Sequence, residues 1–418
     1  MMSRLLLVSL LTFSAAVQAV EPVSPPGLLP TETARALLEQ DPGVAAARAG
    51  LEVARQEAGI LDQSPYEWTT RVTGQRRVQD YGPGDTSTGK RREWSAGIER
   101  TVRLPGKAVA DRNIGKATVE ASQAGYGEAL HEAARELMAL WVDWLAAERA
   151  RELAENNLRL VEESLAAVEK RARAGDASKL DLSIARAERA EQKRLYNDAK
   201  TQAAAARSRL ATRFPGAERQ LMALPAPLPT GKDAAFWRDR ILAESDELKV
   251  AQAQMRTAQA HAERARADKM PDPTLGVYTA SEIDGRERVA GVAISIPIPG
   301  GVRDSRSARA IAAIEVSRQE VELKQRQLEA DIASAVATAQ GAYDSLQIAN
   351  EGAAAMQENA SLMQRAYALG EAELQALLLA RRQATAALNN ALQAQVTALR
   401  AYYGLLVDAH LIWGLEHD

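Results

Sequence analysis

The sequence predicts a mainly α-helical chain built from a duplicated strand–strand–long helix–turn–helix unit, whose few strands complete a transmembrane β-barrel only when several copies share them. Three observations carry this. The same order of parts returns after about 195 residues. In each half, alternating segments break at a Pro-Gly step into a long helical stretch. Those stretches hold an apolar seven-residue period over about six heptads.

The chain opens as an exported protein would. Arg4, the apolar run Leu5 to Val17, and the small residues of Val17-Gln18-Ala19 read as a signal peptide over 1–19. No other stretch approaches the roughly 20 apolar residues that a spanning helix needs. The mature chain is therefore expected in the periplasm, outside the cell, or in the outer membrane as a barrel. With no cysteine, disulfides, thiolate metal sites and a cysteine-linked lipid are excluded. A net charge of -3 offers no general attraction to nucleic acid. Aromatic residues make up only 4%, which favours long, closely packed helices over a large globular core.

The first repeat is read over 20–215. A helix over 31–61, capped by Thr31 or Thr33, breaks near Pro42. A hairpin over 66–103 follows. Tyr66 to Arg77 alternates, with Trp68, Thr70 and Val72 on one side. Tyr81 to Gly89 forms a polar tip, and Arg92 to Val102 alternates again. Pro105-Gly106 ends the hairpin, and a coiled-coil hairpin runs over 107–213. A Pro-rich linker spans 216–232. The second repeat, 233–418, resumes with one helix from Ala234 to just before Met270. Its hairpin over 274–298 turns near Ile283 to Arg286 and sets Ala290, Val292, Ile294 and Ile296 against Gly291, Ala293 and Ser295. Pro299-Gly300 leads into the second coiled-coil hairpin, 303–408.

The heptads in the second half read Val321, Leu328, Ala335, Ala342, Ala349, Met356, Met363 and Ile332, Ala339, Leu346, Ala353, Ala360, Tyr367. Shifted back by about 195 residues, both series recur in the first half, broken only by Arg151. A sustained 3.5-residue period means left-handed coiled-coil packing, and alanine-rich seams permit close approach. Gly175 and Gly370 interrupt the two hairpins at matching places.

Four strands cannot close a barrel alone, and open edges in lipid leave backbone groups unpaired. Three copies of four strands make twelve, an even number within the known range. A barrel that continues into long helical hairpins is a conduit.

At this point the chain resembles the TolC-like outer-membrane efflux channels. Within them it is closest to the CzcC and CusC types that serve heavy-metal cation pumps. Arg103-Leu-Pro-Gly-Lys107 with Arg112, and the turn from Arg171 to Leu182, carry the likeness. The resemblance implies a homotrimeric twelve-stranded barrel in outer-membrane lipid and an α-helical periplasmic tunnel. It implies partnership with a periplasmic adaptor (a membrane fusion protein) and an inner-membrane RND pump. It implies no enzymatic activity and no cofactor.

The resemblance also places the periplasmic entrance at the turns holding Gly175 and Gly370, with Asp181 and Tyr367 meeting across the tip as a gate. The plainer alternative makes Asp181 a helix cap and Tyr367 a continuation of the seam. Glu371 and Glu373 are candidates for a cation-selective mouth, or simply for favourable placement at a helix start. Leu180, Leu182, Leu374 and Leu377 are candidates for an adaptor-docking groove, or for packing within the hairpins. The phosphate-loop-like Gly84 to Lys90 lies between strands and has Arg91 where Ser or Thr must follow. His131-Glu132 lacks the second histidine of a zinc-protease motif. Histidines 131, 261, 410 and 417 have no ligand spacing, so no bound metal is expected. Alternatives in transport are a multidrug outlet and a type I secretion outlet. In a different class stands a periplasmic coiled-coil adaptor or scaffold.

Overall fold

The computed structural model describes residues 25–79 and 89–415. The signal segment 1–19, most of the polar hairpin tip and phosphate-loop-like stretch, and His417 lie outside the described residues. Helices α1 (Thr31–Glu39) and α2 (Pro42–Asp62) lead to strands β1 (Thr69–Gln79) and β2 (Gly89–Thr101). Helix α3 (Pro105–Arg173) then runs to a sharp turn and returns as α4 (Lys179–Arg213). The second half repeats this order as α5 (Ala234–Glu244), α6 (Asp246–Ala267), β3 (Thr274–Glu282), β4 (Glu287–Ser295), α7 (Gly301–Leu369) and α8 (Leu374–Asp408). Helices α3 and α7 have 69 residues each, and α4 and α8 have 35 each. At 1.5 Å per residue, each long helix reaches roughly 100 Å.

Two helix starts differ from expectation. Neither Thr31 nor Thr33 caps α1, which begins after Pro30 with no side-chain cap. Asp41 caps α2 instead, accepting from the amides of Gly43 at 2.8 Å and Val44 at 3.1 Å. The single helix expected from Ala234 is two helices. Ser245 leaves helical geometry and accepts from the Leu248 amide at 3.2 Å, so α6 starts anew there. The helix–break–helix of the first half is thereby duplicated too.

The strands form one antiparallel sheet in the order β1-β2-β3-β4. Its register pairs Ile98 with Val277 and Val277 with Val292, and Arg100 with Leu275 and Leu275 with Ile294. Residues opposite one another share a face. One face therefore carries Trp68, Val72, Trp94, Ile98, Leu275, Val277, Val292 and Ile294, all exposed in the single chain. The other carries Arg71 paired with Glu99 at 3.2 Å and Arg77 with Glu93 at 3.1 Å. An apolar face backed by a polar one is the pattern of a barrel strand between lipid and water.

Along α7 four members of the second heptad series, Ile332, Ala339, Leu346 and Ala353, are each at most 4% exposed, whereas Ala360 and Tyr367 are half-buried and Met356 of the first series is exposed. Arg151, the break in the first-half pattern, is half-buried and bonds Glu148 and Glu155 on its own helix, both at 2.9 Å. The scarce aromatics are concentrated. Four of the six tryptophans, Trp141, Trp144, Trp237 and Trp413, are fully buried. They form a girdle where mid-α3, α5, the end of α8 and residues 28–29 and 412–415 meet. Trp141 donates to the carbonyl of Gly27 at 2.9 Å and Trp413 to that of Leu29 at 3.0 Å. A substantial core thus exists, against the expectation from composition.

The strand-to-helix junction explains the residues around Pro105-Gly106. Pro105 is the first residue of α3, where its missing N–H costs nothing. In the second half α7 starts at Gly301, after Pro299-Gly300. Lys107 is buried, with its ammonium 3.0 Å from Asp272 and 3.3 Å from Asp268. Asp272 also accepts from the Leu104 amide at 3.0 Å and the Tyr66 hydroxyl at 2.7 Å. Arg103 donates to the Leu61 and Asp62 carbonyls and to Asp111, which also pairs with Arg264. Burial disfavours the Asp272 carboxylate, but these donors outweigh it and hold the group below the usual range.

Lys107→Met leaves that carboxylate buried without its cation. At pH 7 it is expected to cost about 3–5 kcal/mol in thermal or denaturant unfolding. A carboxyl pKa lower in the folded than in the unfolded state adds stability at neutral pH, and that stability fades as pH falls through the folded value. The gap between parent and variant should therefore shrink below roughly pH 4. A gap that is constant down to pH 2.5 would refute this assignment.

Candidate functional site

The far ends of the two hairpins lie side by side. Val168 and Ala185 of the first pack against Leu374 and Leu378 of the second, with Leu165, Leu182 and Tyr367 around them. Each turn closes on a glycine in the left-handed region, Gly175 at φ +83° and Gly370 at φ +79°. At Gly370 the helix ends with the amides of Gly370 and Glu371 donating to the carbonyls of Tyr367 and Ala366, at 3.1 and 2.8 Å. Satisfying the last carbonyls this way needs a positive φ, which glycine adopts without cost.

Asp181 caps α4. The Ser178 hydroxyl accepts from the Asp181 amide at 3.0 Å, while the Asp181 carboxylate accepts from the Ser178 amide at 3.1 Å. Tyr367 has a different neighbour: the Arg171 guanidinium lies 5.4 Å from its ring centroid and also bonds Asp176 at 3.0 Å. Within one chain Asp181 and Tyr367 thus have separate partners. They nevertheless line one cavity of about 370 Å³, together with Arg171, Leu180, Glu373 and Leu374. Arg171 was not singled out as a site residue. Its signal was its place four residues before Gly175, one turn from the helix end.

Glu371 and Glu373 are exposed. The leucines divide. Leu374 and Leu377 are buried at 4% and 1% and Leu182 is half-buried; Leu374 and Leu182 belong to the packing between hairpins. Leu180 is exposed, and so are Leu369 and Leu379, which the sequence reading missed. Further from the tip, buried Glu188 of α4 accepts from Arg382 of α8 at 2.8 Å, joining the two hairpins laterally.

A family model described as outer membrane efflux protein matches residues 33–213 and 237–406, well over half of the chain. The chain belongs to that family. Among curated proteins, no sequence matches significantly. Solved structures agree on the fold. The outer membrane protein VceC of Vibrio cholerae superposes with a TM-score of 0.72 at 15% identity, covering 90% of this chain and 95% of its own. CusC, whose structures concern folding and transmembrane channel formation, gives 0.72 at 19% identity, with 91% of each chain covered. A membrane protein from Pseudomonas aeruginosa gives 0.74 at 18%, covering 96% and 97%. This efflux-family chain thus has the fold of the TolC-like outer-membrane channels. Among the described residues no helix is long and apolar enough to cross a membrane.

Gly175→Ala and Gly370→Ala each force a side chain into the left-handed region, with open space around it. Each is expected to cost about 1–2 kcal/mol locally. Hydrogen exchange should quicken in the tip turns and leave the tryptophan girdle unchanged. Equal exchange at both places in variant and parent would overturn the assignment.

Proposed function

We propose that three copies of this chain form the outer-membrane exit duct of a tripartite efflux system, working with a periplasmic adaptor and an inner-membrane RND pump. The observation that carries this reading is the four-stranded sheet with one apolar face and two open edges, continuing directly into two 69-residue helices. Three such sheets make a closed twelve-stranded barrel, which leaves no edge in lipid. Helix α7 exposes Val316, Leu323, Ile348 and Leu362, an apolar row suited to a neighbouring copy.

The hairpin tips serve as the periplasmic entrance. Asp181 and Tyr367, which line one cavity, are the gate residues, and opening separates the tips like an iris. Leu180, Leu369 and Leu379 provide apolar contact for the adaptor. The cargo we propose is heavy-metal cations. The resemblance to the channel types that serve such pumps supports this, as do the exposed carboxylates of Glu371 and Glu373 at the mouth.

In planar bilayers, the double variant D181A/Y367F is expected to raise the conductance of a resting channel several-fold over the parent. Unchanged conductance would remove both residues from the gate. Deleting the gene should sensitise cells to metal cations and raise their intracellular metal, with organic toxicants unaffected. Sensitivity confined to organic compounds would instead assign a multidrug outlet of the same fold.

A further inference from the structure

Three groups far apart in the sequence meet inside the girdle. His131 lies in mid-α3, Asp246 is the first residue of α6, and His410 follows the end of α8. All three are buried, and one ligand atom of each lies within 4.8 Å of the others. His410 Nε2 is 3.4 Å from Asp246 Oδ2, and the two imidazoles meet edge to face with centroids 5.2 Å apart. Sequence spacing gave no hint of this set, because each member comes from a different helix.

From this convergence we infer that His131, Asp246 and His410 form a binding site for a divalent transition-metal ion, with zinc the best match. Two imidazoles and one carboxylate are a common zinc ligand set, and the fourth position is open to water or another side chain. Ligand atoms about 2.0–2.2 Å from a tetrahedral ion stand roughly 3.3 Å from each other. The His410–Asp246 separation already has that value.

The surroundings fit an ion. Metal-binding histidines are usually steered by a neighbouring carboxylate. Asp408 Oδ1 stands 3.3 Å from His131 Nε2 and is itself fixed by Arg135 at 2.7 Å. His410 takes a left-handed backbone, φ +53°, at a helix end where glycine is the usual choice. A histidine there points to a use for the imidazole. Lys249 lies 3.4 Å from the other Asp246 oxygen, Oδ1. Glu128, one turn before His131, adds another carboxylate, whose Oε2 is buried with no hydrogen-bond partner among the described residues. The ion would clamp α3 of the first repeat to α6 and α8 of the second. That role is structural and separate from the duct and its cargo.

The test uses the full-length protein in detergent, made without a polyhistidine tag and stripped with a chelator. Reloaded with zinc, it is expected to retain about one ion per chain by elemental analysis. Cobalt(II) should give the visible bands of a four-coordinate site. His131→Gln, Asp246→Asn and His410→Gln should each weaken binding by at least about 10-fold. His261→Gln, at an exposed position on α6, should bind as the parent does. Circular dichroism checks that each variant folds, and the parent's stoichiometry and cobalt spectrum decide the matter if one does not. Retention below about a tenth of an ion per chain, or undiminished binding in all three variants, would reduce the cluster to a histidine–aspartate ion pair and overturn the proposal.

Discussion

An antiparallel sheet with two open edges sets the terms for everything else in this molecule. Strands β1 and β4 each present a row of backbone donors and acceptors that the chain itself does not pair. Water can satisfy such groups, but hydrocarbon cannot. The apolar face carried by Trp68, Val72, Val277 and Ile294 suits lipid, and in the proposed duct the edges would meet strands of other copies. Each long helix leaves the sheet within a few residues of the last paired position. Thr101 and Thr274, bonded through their hydroxyls at 2.8 Å, mark the end of the β2–β3 ladder. Just beyond them, the buried Lys107 and the Arg103–Asp111–Arg264 cluster turn the chain from pleat to helix. Charges are costly to bury unless paired and hydrogen-bonded. Here both conditions are met, and the cluster fastens α2, α3 and α6 together under the sheet.

How much of this could be read in advance follows from the range of the interactions. The strands, the heptad seams, the Pro-Gly junctions and the glycine turns are local patterns, and each appeared where the period or the turn residue placed it. The second α7 series was legible down to single residues, because a coiled-coil seam is decided by spacing alone. The aromatic girdle was not legible. Composition averages over the chain, whereas the fold gathers Trp141 and Trp144 of α3, Trp237 of α5 and Trp413 beyond α8 into one place. The break at Ser245 was missed for a related reason: a lone serine competes with a helix only when its neighbours leave room for the cap. At the tip, the turns themselves were legible. The division of the leucines into buried Leu374 and Leu377 and exposed Leu180 was not, since it depends on how two hairpins 195 residues apart pack together.

The tip is held by short-range devices on each hairpin. Asp181 is engaged by Ser178, and Tyr367 stacks with Arg171, so each proposed gate residue already has a stable resting partner. In the proposed gate, a contact between subunits at this position would compete with those local bonds.

The equal lengths of α3 and α7 have an evolutionary consequence. One extra residue in either helix would rotate everything beyond it by about 100° and advance it by 1.5 Å. The seam would turn away from its partner, and one turn would stand proud of the other. Substitutions can accumulate independently in the two halves, whereas insertions and deletions must come as matched heptads or be lost. The duplicated helices therefore act as gauges for each other. Two segments that began as copies are free to drift apart in chemistry while remaining bound to a common measure.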